Sequence, residues 1–175
     1  FHNIQKQSLS GTIIVDIFGG GTISTERHFI TGFNTFPNFR NATNSYASYF
    51  KEQGYITEAM HPIYGAFYNR NTVNLNMGFD NYWNYENKFS KVREQFLTDD
   101  KFFKYIIEGL ENANKDKKPY FNFSVTYQNH GPYSTDETSY KHVKDKGYST
   151  NALNMFNRYL EGIKATNNSL NMLVE

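Results

Sequence analysis

Apolar and polar positions along the chain alternate in short runs that predict strands and longer amphipathic stretches that predict helices. TIIVDIF, residues 12–18, is β-branched and stops abruptly at three glycines, so a strand is expected there. A short helix is predicted over 24–30, capped by Ser24 or Thr25 and ended by Thr31-Gly32. NATNSYASYFKEQGY predicts a helix over 42–53, with Tyr46, Tyr49 and Phe50 on one face and Gly54 as the stop. ITEAM, residues 56–60, reads as a strand running into His61-Pro62. Between Ile63 and Ser90 aromatics, Asn and Gly follow no clear period, so an ordered loop region is expected. A capping pattern at Thr98 opens a helix with Phe102, Tyr105, Ile106, Gly109 and Leu110 on its apolar stripe. YFNFSVTYQ, residues 120–128, is the clearest strand. Residues 151–175 form a closing helix whose expected buried side is Phe156, Leu160, Ile163, Leu170 and Leu173. Strands alternating with helices predict an α/β layered fold with a mainly parallel sheet.

Composition narrows this picture only slightly. At 175 residues the chain suits one domain, 1–175, with a core able to bury most of its apolar surface. The formal net charge of +1 gives no strong field for nucleic acid or an anionic membrane. Asparagine, at 22 of 175, favours turns and caps over long regular elements. No cysteine is present, so disulfides, thiolate metal sites and cysteine nucleophiles are excluded. No run approaches the roughly 20 apolar residues of a membrane span, and no signal-peptide pattern opens the chain. It begins on Phe1 rather than Met, as expected of a piece cut from a longer protein.

Candidate chemistry gathers where an α/β fold usually keeps its site, past the carboxyl ends of strands. Gly19-Gly20-Gly21-Thr22 follows the first predicted strand, His61 the second and His130 the third. A glycine turn feeding a helix offers free N–H groups at a positive helix end, which suits an anion, and a hydroxyl there sits beside any bound phosphate. The same four residues also suit a tight turn with a capping threonine. In HPIYGAFYNR, His61 and Arg70 flank Tyr64, Phe67 and Tyr68. An imidazole and a guanidinium on one wall would suit an anionic substrate; an aromatic-packed loop with an exposed arginine is the plainer alternative. His130, in YQNHGPY, is either a site residue at the sheet edge or a buried structural histidine. His2, His28 and His142 read as surface residues.

Taken in order, GGGTxxTE, then HPxxxxFYNR followed by NMGFD, then NHGPY resemble the extracellular catalytic domain of the lipoteichoic acid synthase family. These are phosphoglycerol transferases of the sulfatase/alkaline phosphatase superfamily. The resemblance runs from about Ile14 to the last helix. It implies an α/β/α sandwich, incomplete at both ends, and a membrane-anchored parent on the extracellular face of a bacterial cell. Thr22 matches the family's nucleophile, which takes glycerophosphate from phosphatidylglycerol and passes it to a polymer, glycan or glycolipid acceptor. His61, Arg70 and His130 match residues that hold the phosphoglycerol group. Tyr68 falls where the synthases carry a tryptophan, and Ile63 where some have an aspartate.

The resemblance also implies Mn²⁺ or Mg²⁺, held by the nucleophile, an upstream glutamate and an Asp-His pair. A threonine hydroxyl is a poor nucleophile at neutral pH, so such an ion would be needed to form its alkoxide. No Asp-His dipeptide occurs here, and Glu26 stands too near Thr22 to replace the glutamate; a cap or a salt bridge is its expected role. Thr22 is therefore the one expected metal ligand. The chain alone is expected to be inactive and to bind Mn²⁺ weakly or not at all. The alternative from another class is a non-catalytic extracellular module that binds anionic wall polymers or lipid head groups. For the enzyme, Thr22, His61, Arg70 and His130 should face one cleft.

Overall fold

The computed structural model describes residues 6, 8, 9, 11, 21–33, 38–90, 97–144 and 147–174. The predicted strand at 12–18, and Gly19 and Gly20 after it, lie outside the described residues. The described part begins with helix α1 (Thr22–Thr31) and α2 (Tyr46–Glu52), followed by strand β1 (Ile56–Met60). A 3₁₀ turn (Phe67–Asn69) then leads into α3 (Arg70–Asn76) and β2 (Asn81–Trp83). The long helix α4 (Asp99–Lys115), strand β3 (Tyr120–Ser124) and helix α5 (Thr150–Leu170) complete the order.

The three described strands are all parallel, in the order β2-β1-β3, with Met60 opposite both Trp83 and Ser124. Side chains alternate across a strand, and here the alternation feeds two cores. Ala59, Tyr82, Phe121 and Phe123 pack with Ile30, Ala47, Val73 and Met77 from α1, α2 and α3. Met60 and Trp83 pack on the opposite face with Phe102, Phe103, Tyr105 and Ile106 of α4 and Leu170 of α5. Helices on both faces of a parallel sheet make the α/β/α sandwich that the sequence predicts.

Several local expectations change. Helix α1 starts earlier than expected: Gly21 is its N-cap, in the left-handed region at φ 78°, so Ser24 and Thr25 lie inside the first turn. Gly32, also left-handed, ends it as predicted, donating to the His28 carbonyl at 2.8 Å. Helix α2 begins at Tyr46 behind a Ser45–Ser48 capping box, and it buries Ala47 while Tyr46 and Tyr49 face solvent. The reason is close approach: a Cβ on Gly78, at φ 96°, would sit 2.8 Å from the Ser48 Cα, so only small residues fit between. The region 63–90 is not a loop but carries α3, β2 and a π-helical turn at Tyr85–Phe89 capped by Asn84. Strand β3 ends at Ser124, four residues short of the prediction. Helix α5 buries Asn157 and Ser169 and leaves Phe156 and Ile163 exposed, as is Leu173 in the 3₁₀ turn (Asn171–Leu173) that follows it. On that helix polar contacts of Asn157 and Thr166, together with Leu170, meet the rest of the chain.

Beneath the sheet's middle a carboxylate is buried with no cation paired to it among the described residues. Glu58 accepts hydrogen bonds from Trp83 Nε1 at 2.8 Å, Tyr120 Oη at 2.8 Å and Asn81 Nδ2 at 3.3 Å. Three donors compensate the desolvation of its charge and tie all three strands together.

Candidate functional site

Past the carboxyl ends of β1 and β3 the chain forms a cleft of about 460 Å³, lined by Gly21, Thr22, Glu26, His61, Phe67, Tyr68, Arg70, Tyr127, Asn129 and His130 among others. All five residues singled out from the sequence, Thr22, His61, Tyr68, Arg70 and His130, therefore border one space. Thr22 is exposed as the first residue of α1. At that helix start the unsatisfied first-turn N–H groups carry partial positive charge, which favours an anion beside the hydroxyl.

Arg70 stands at the first turn of α3. Two successive left-handed residues, Tyr68 at φ 53° and Asn69 at φ 54°, turn the chain into that helix. Such conformations cost on the order of 1–3 kcal/mol each, and Arg27 Nη2 holds the turn by donating to the Tyr68 carbonyl at 2.8 Å. The Arg70 guanidinium is not free. Its Nη1 donates to Glu26 Oε2 at 2.6 Å and its Nη2 to Glu26 Oε1 at 3.1 Å, in a two-pronged pair that is almost fully buried. Glu26 thus takes the salt-bridge role expected for it. Arg70 Nε is buried as well, and among the described residues it has no hydrogen-bond partner.

His61 is 4% exposed. Its Nδ1 lies 2.8 Å from the Val125 carbonyl; a carbonyl only accepts, so Nδ1 carries the proton and Nε2 is left as an acceptor. Burial, reinforced by the positive charge of Arg70, lowers its pKa to about 4. The ring is neutral at neutral pH and suits a hydroxyl donor more than an anionic oxygen. Because the folded pKa lies below the unfolded value, the unfolded chain binds more protons between those two pH values. His61 should therefore contribute roughly 3 kcal/mol above pH 6.5, and that contribution should fade as pH drops towards 4. Denaturant titrations at pH 7 and pH 4.5 check this: His61→Gln should lose less stability on acidification than the parent. Equal losses in the two proteins would contradict it.

His130 is exposed, with Nδ1 against the Gly131 carbonyl at 2.6 Å. Its ring stacks on Tyr127 at 4.7 Å, and the same tyrosine meets His61 edge-on at 5.8 Å. Tyr127 is a cleft residue that sequence reasoning missed, although it lies only three positions before His130. Its expected strand would have paired it into the sheet; instead the chain leaves the sheet after Val125. Ile63 is buried and does not line the cleft.

The described residues do not make a metal site. Among the described residues no group of three or more His, Cys, Asp or Glu could hold an ion, and the Glu26 carboxylate is spent on Arg70. Of the described residues no helix is long and apolar enough to cross a membrane.

The sulfatase family model matches residues 2–175. The chain is 33% identical over 182 residues to a Rhizobium meliloti protein assigned to cyclic beta-1,2-glucan modification, covering 97% of this chain and 28% of that protein. It is 31% identical over 87 residues to a lipoteichoic acid synthase of Staphylococcus saprophyticus, covering 48% of this chain and 13% of the synthase. The chain thus spans about a quarter, or less, of these relatives' length. The same fold occurs in the Streptococcus pyogenes phosphoglycerol transferase GacH, solved with sn-glycerol-1-phosphate. There the TM-score is 0.68 at 23% identity, over 98% of this chain and 49% of that one. It occurs again in the lipoteichoic acid synthase LtaP of Listeria monocytogenes, with TM-score 0.66 at 18% identity, over 87% and 39%.

Proposed function

The chain belongs to the sulfatase family, and from that premise we propose that its cleft transfers phosphoglycerol groups with Thr22 as the nucleophile. The observation that carries this reading is the exposed Thr22 hydroxyl at a glycine-started helix N-terminus, in one cleft with His61, Arg70 and His130. Relatives named as phosphoglycerol transferase and lipoteichoic acid synthase support the substrate class.

In the first half-reaction Thr22 Oγ attacks the phosphorus of phosphatidylglycerol. The new Oγ–P bond replaces the bond to diacylglycerol, which leaves as the alcohol carrying one proton. In the second half an acceptor hydroxyl attacks the same phosphorus and Thr22 recovers its proton. The start of α1 meets the phosphate's charge, with the Arg70–Glu26 pair on the cleft wall, while neutral His61 accepts from a glycerol hydroxyl. His130 and the Tyr68 ring close the pocket around the glycerol. Residues 1–175 act as one domain in this reading, on the extracellular face of a membrane-anchored parent. A divalent ion, Mn²⁺ or Mg²⁺, would need ligands beyond those described here. The acceptor is a polymer, glycan or glycolipid, and the Rhizobium meliloti relative favours a glucan. A pure polyanion-binding module is less well supported, because its main cation, Arg70, is already neutralised by Glu26.

The test uses the intact protein with a phosphatidylglycerol analogue. Diacylglycerol release and a glycerophosphate adduct on Thr22, read by peptide mass spectrometry, are expected. Release without any adduct, or an adduct at another residue, would overturn Thr22 as nucleophile; no release would overturn the transferase reading.

A further inference from the structure

We propose that Thr166 and Asp99, on the helices behind the sheet, are positioning residues for the His130 side of the cleft. The inference rests on the phosphoglycerol reading of that cleft but concerns what holds it in shape.

His130 sits in a segment without regular structure between β3 and α5, so its place depends on contacts from outside the segment. Asn129, the residue before it, is held from three sides. Its Nδ2 donates to Thr166 Oγ1 at 2.6 Å, and its carbonyl accepts from Tyr133 Oη at 2.7 Å. Its Oδ1 lies so close to Gly162 of α5 that a Cβ there would come within 2.1 Å. Thr166 Oγ1 in turn donates a hydrogen bond to Oδ2 of Asp99, which is fully buried at the start of α4. The backbone N–H of Asp99 donates to Gln128 Oε1 at 2.9 Å, so Gln128 and Asn129 are both tied to this one aspartate.

The order of donors is consistent from end to end. An amide N–H gives to a hydroxyl, the hydroxyl gives to a carboxyl group, and a hydroxyl serves both partners at once. Burying a carboxyl group is costly, and among the described residues Asp99 Oδ1 has no hydrogen-bond partner. Helix packing alone would be served as well by an apolar residue at that position. The polar chain instead ends on the residue that carries His130 into the cleft.

Thr166→Val in the intact protein deletes both the donor and the acceptor at nearly constant shape. It should lower kcat/KM for the phosphatidylglycerol analogue roughly tenfold to a hundredfold, the scale of a small misplacement at a site, and Thr166→Ser should restore most of it. Combined with His130→Ala, Thr166→Val should add no further loss, since it acts through that residue. Losses that multiply would overturn the proposal. A second readout needs no turnover: the His130 ring resonances in NMR spectra should shift in Thr166→Val. Unchanged resonances would sink the positioning role whether or not the protein transfers phosphoglycerol. Shifted resonances in a protein that transfers nothing would sustain it and count against the substrate reading alone. Should Thr166→Val fail to fold, Asp99→Asn, which keeps the volume and one acceptor oxygen, carries the same two readouts.

Discussion

Thr22→Ala is expected to abolish transfer, by a factor on the order of 10³ or more, while leaving the fold almost as stable as before. Without the hydroxyl no covalent glycerophosphate can form, and the anion site around α1 can only bind. The stability cost is small because Gly21, not Thr22, caps the helix. Thr22 is exposed, and among the described residues its hydroxyl has no hydrogen-bond partner. An exposed substitution of this kind stays within about 0.5 kcal/mol. Turnover of a phosphatidylglycerol analogue and a melting curve on the same preparation check both halves. Substantial turnover in Thr22→Ala would mean the hydroxyl only serves the turn.

Glu26→Ala should produce the opposite pattern, a large loss of stability together with a loss of function. The Glu26–Arg70 pair is about 90% buried on both sides. Removing the carboxylate strands a guanidinium inside the domain, and such changes cost about 3–5 kcal/mol. In a chain of this size each kcal/mol lowers Tm by roughly 2–4 °C, so a drop on the order of 10 °C is expected. Against a total stability of roughly 5–15 kcal/mol the loss is severe. Function should fall as well, because Arg70 would no longer be held two-pronged beside the cleft. Calorimetric or fluorescence melting decides the matter. A loss under about 1 kcal/mol would show that Arg70 reaches solvent through the cleft once released.

Both experiments depend on a proposed site whose residues and shared cleft were expected from the sequence, while the partners of each side chain were not. Gly21 in front of Thr22 stood out as a break before a helix, because a missing side chain and a hydroxyl are local properties. His61 and His130 stood out by following β-rich runs, and both do follow parallel strands. Tyr127 did not stand out, since its role depends on where β3 lets go of the sheet. The helix at 70–76 was equally hidden. Its sequence, RNTVNLN, has weak helix formers, and its buried face is assembled from Arg70, Val73 and Asn74.

The sequence by itself determined the alternation of strands and helices, the parallel layered class and the candidate residues for an anion site. These follow from periodicity, glycine positions and side-chain type, which act over a few neighbouring residues. Tertiary structure decided what each of those residues is free to do. It paired Arg70 with Glu26 across 44 positions, set the protonation of His61 by burial against the Val125 carbonyl, and anchored Asn129 to Thr166 from 37 positions away. It also left Phe156 and Ile163 of α5 exposed while packing Leu170 into the core. The physical reason is the same throughout: charge, burial and hydrogen-bond partnership are properties of a place in space, and distant segments create that place only when the chain is folded.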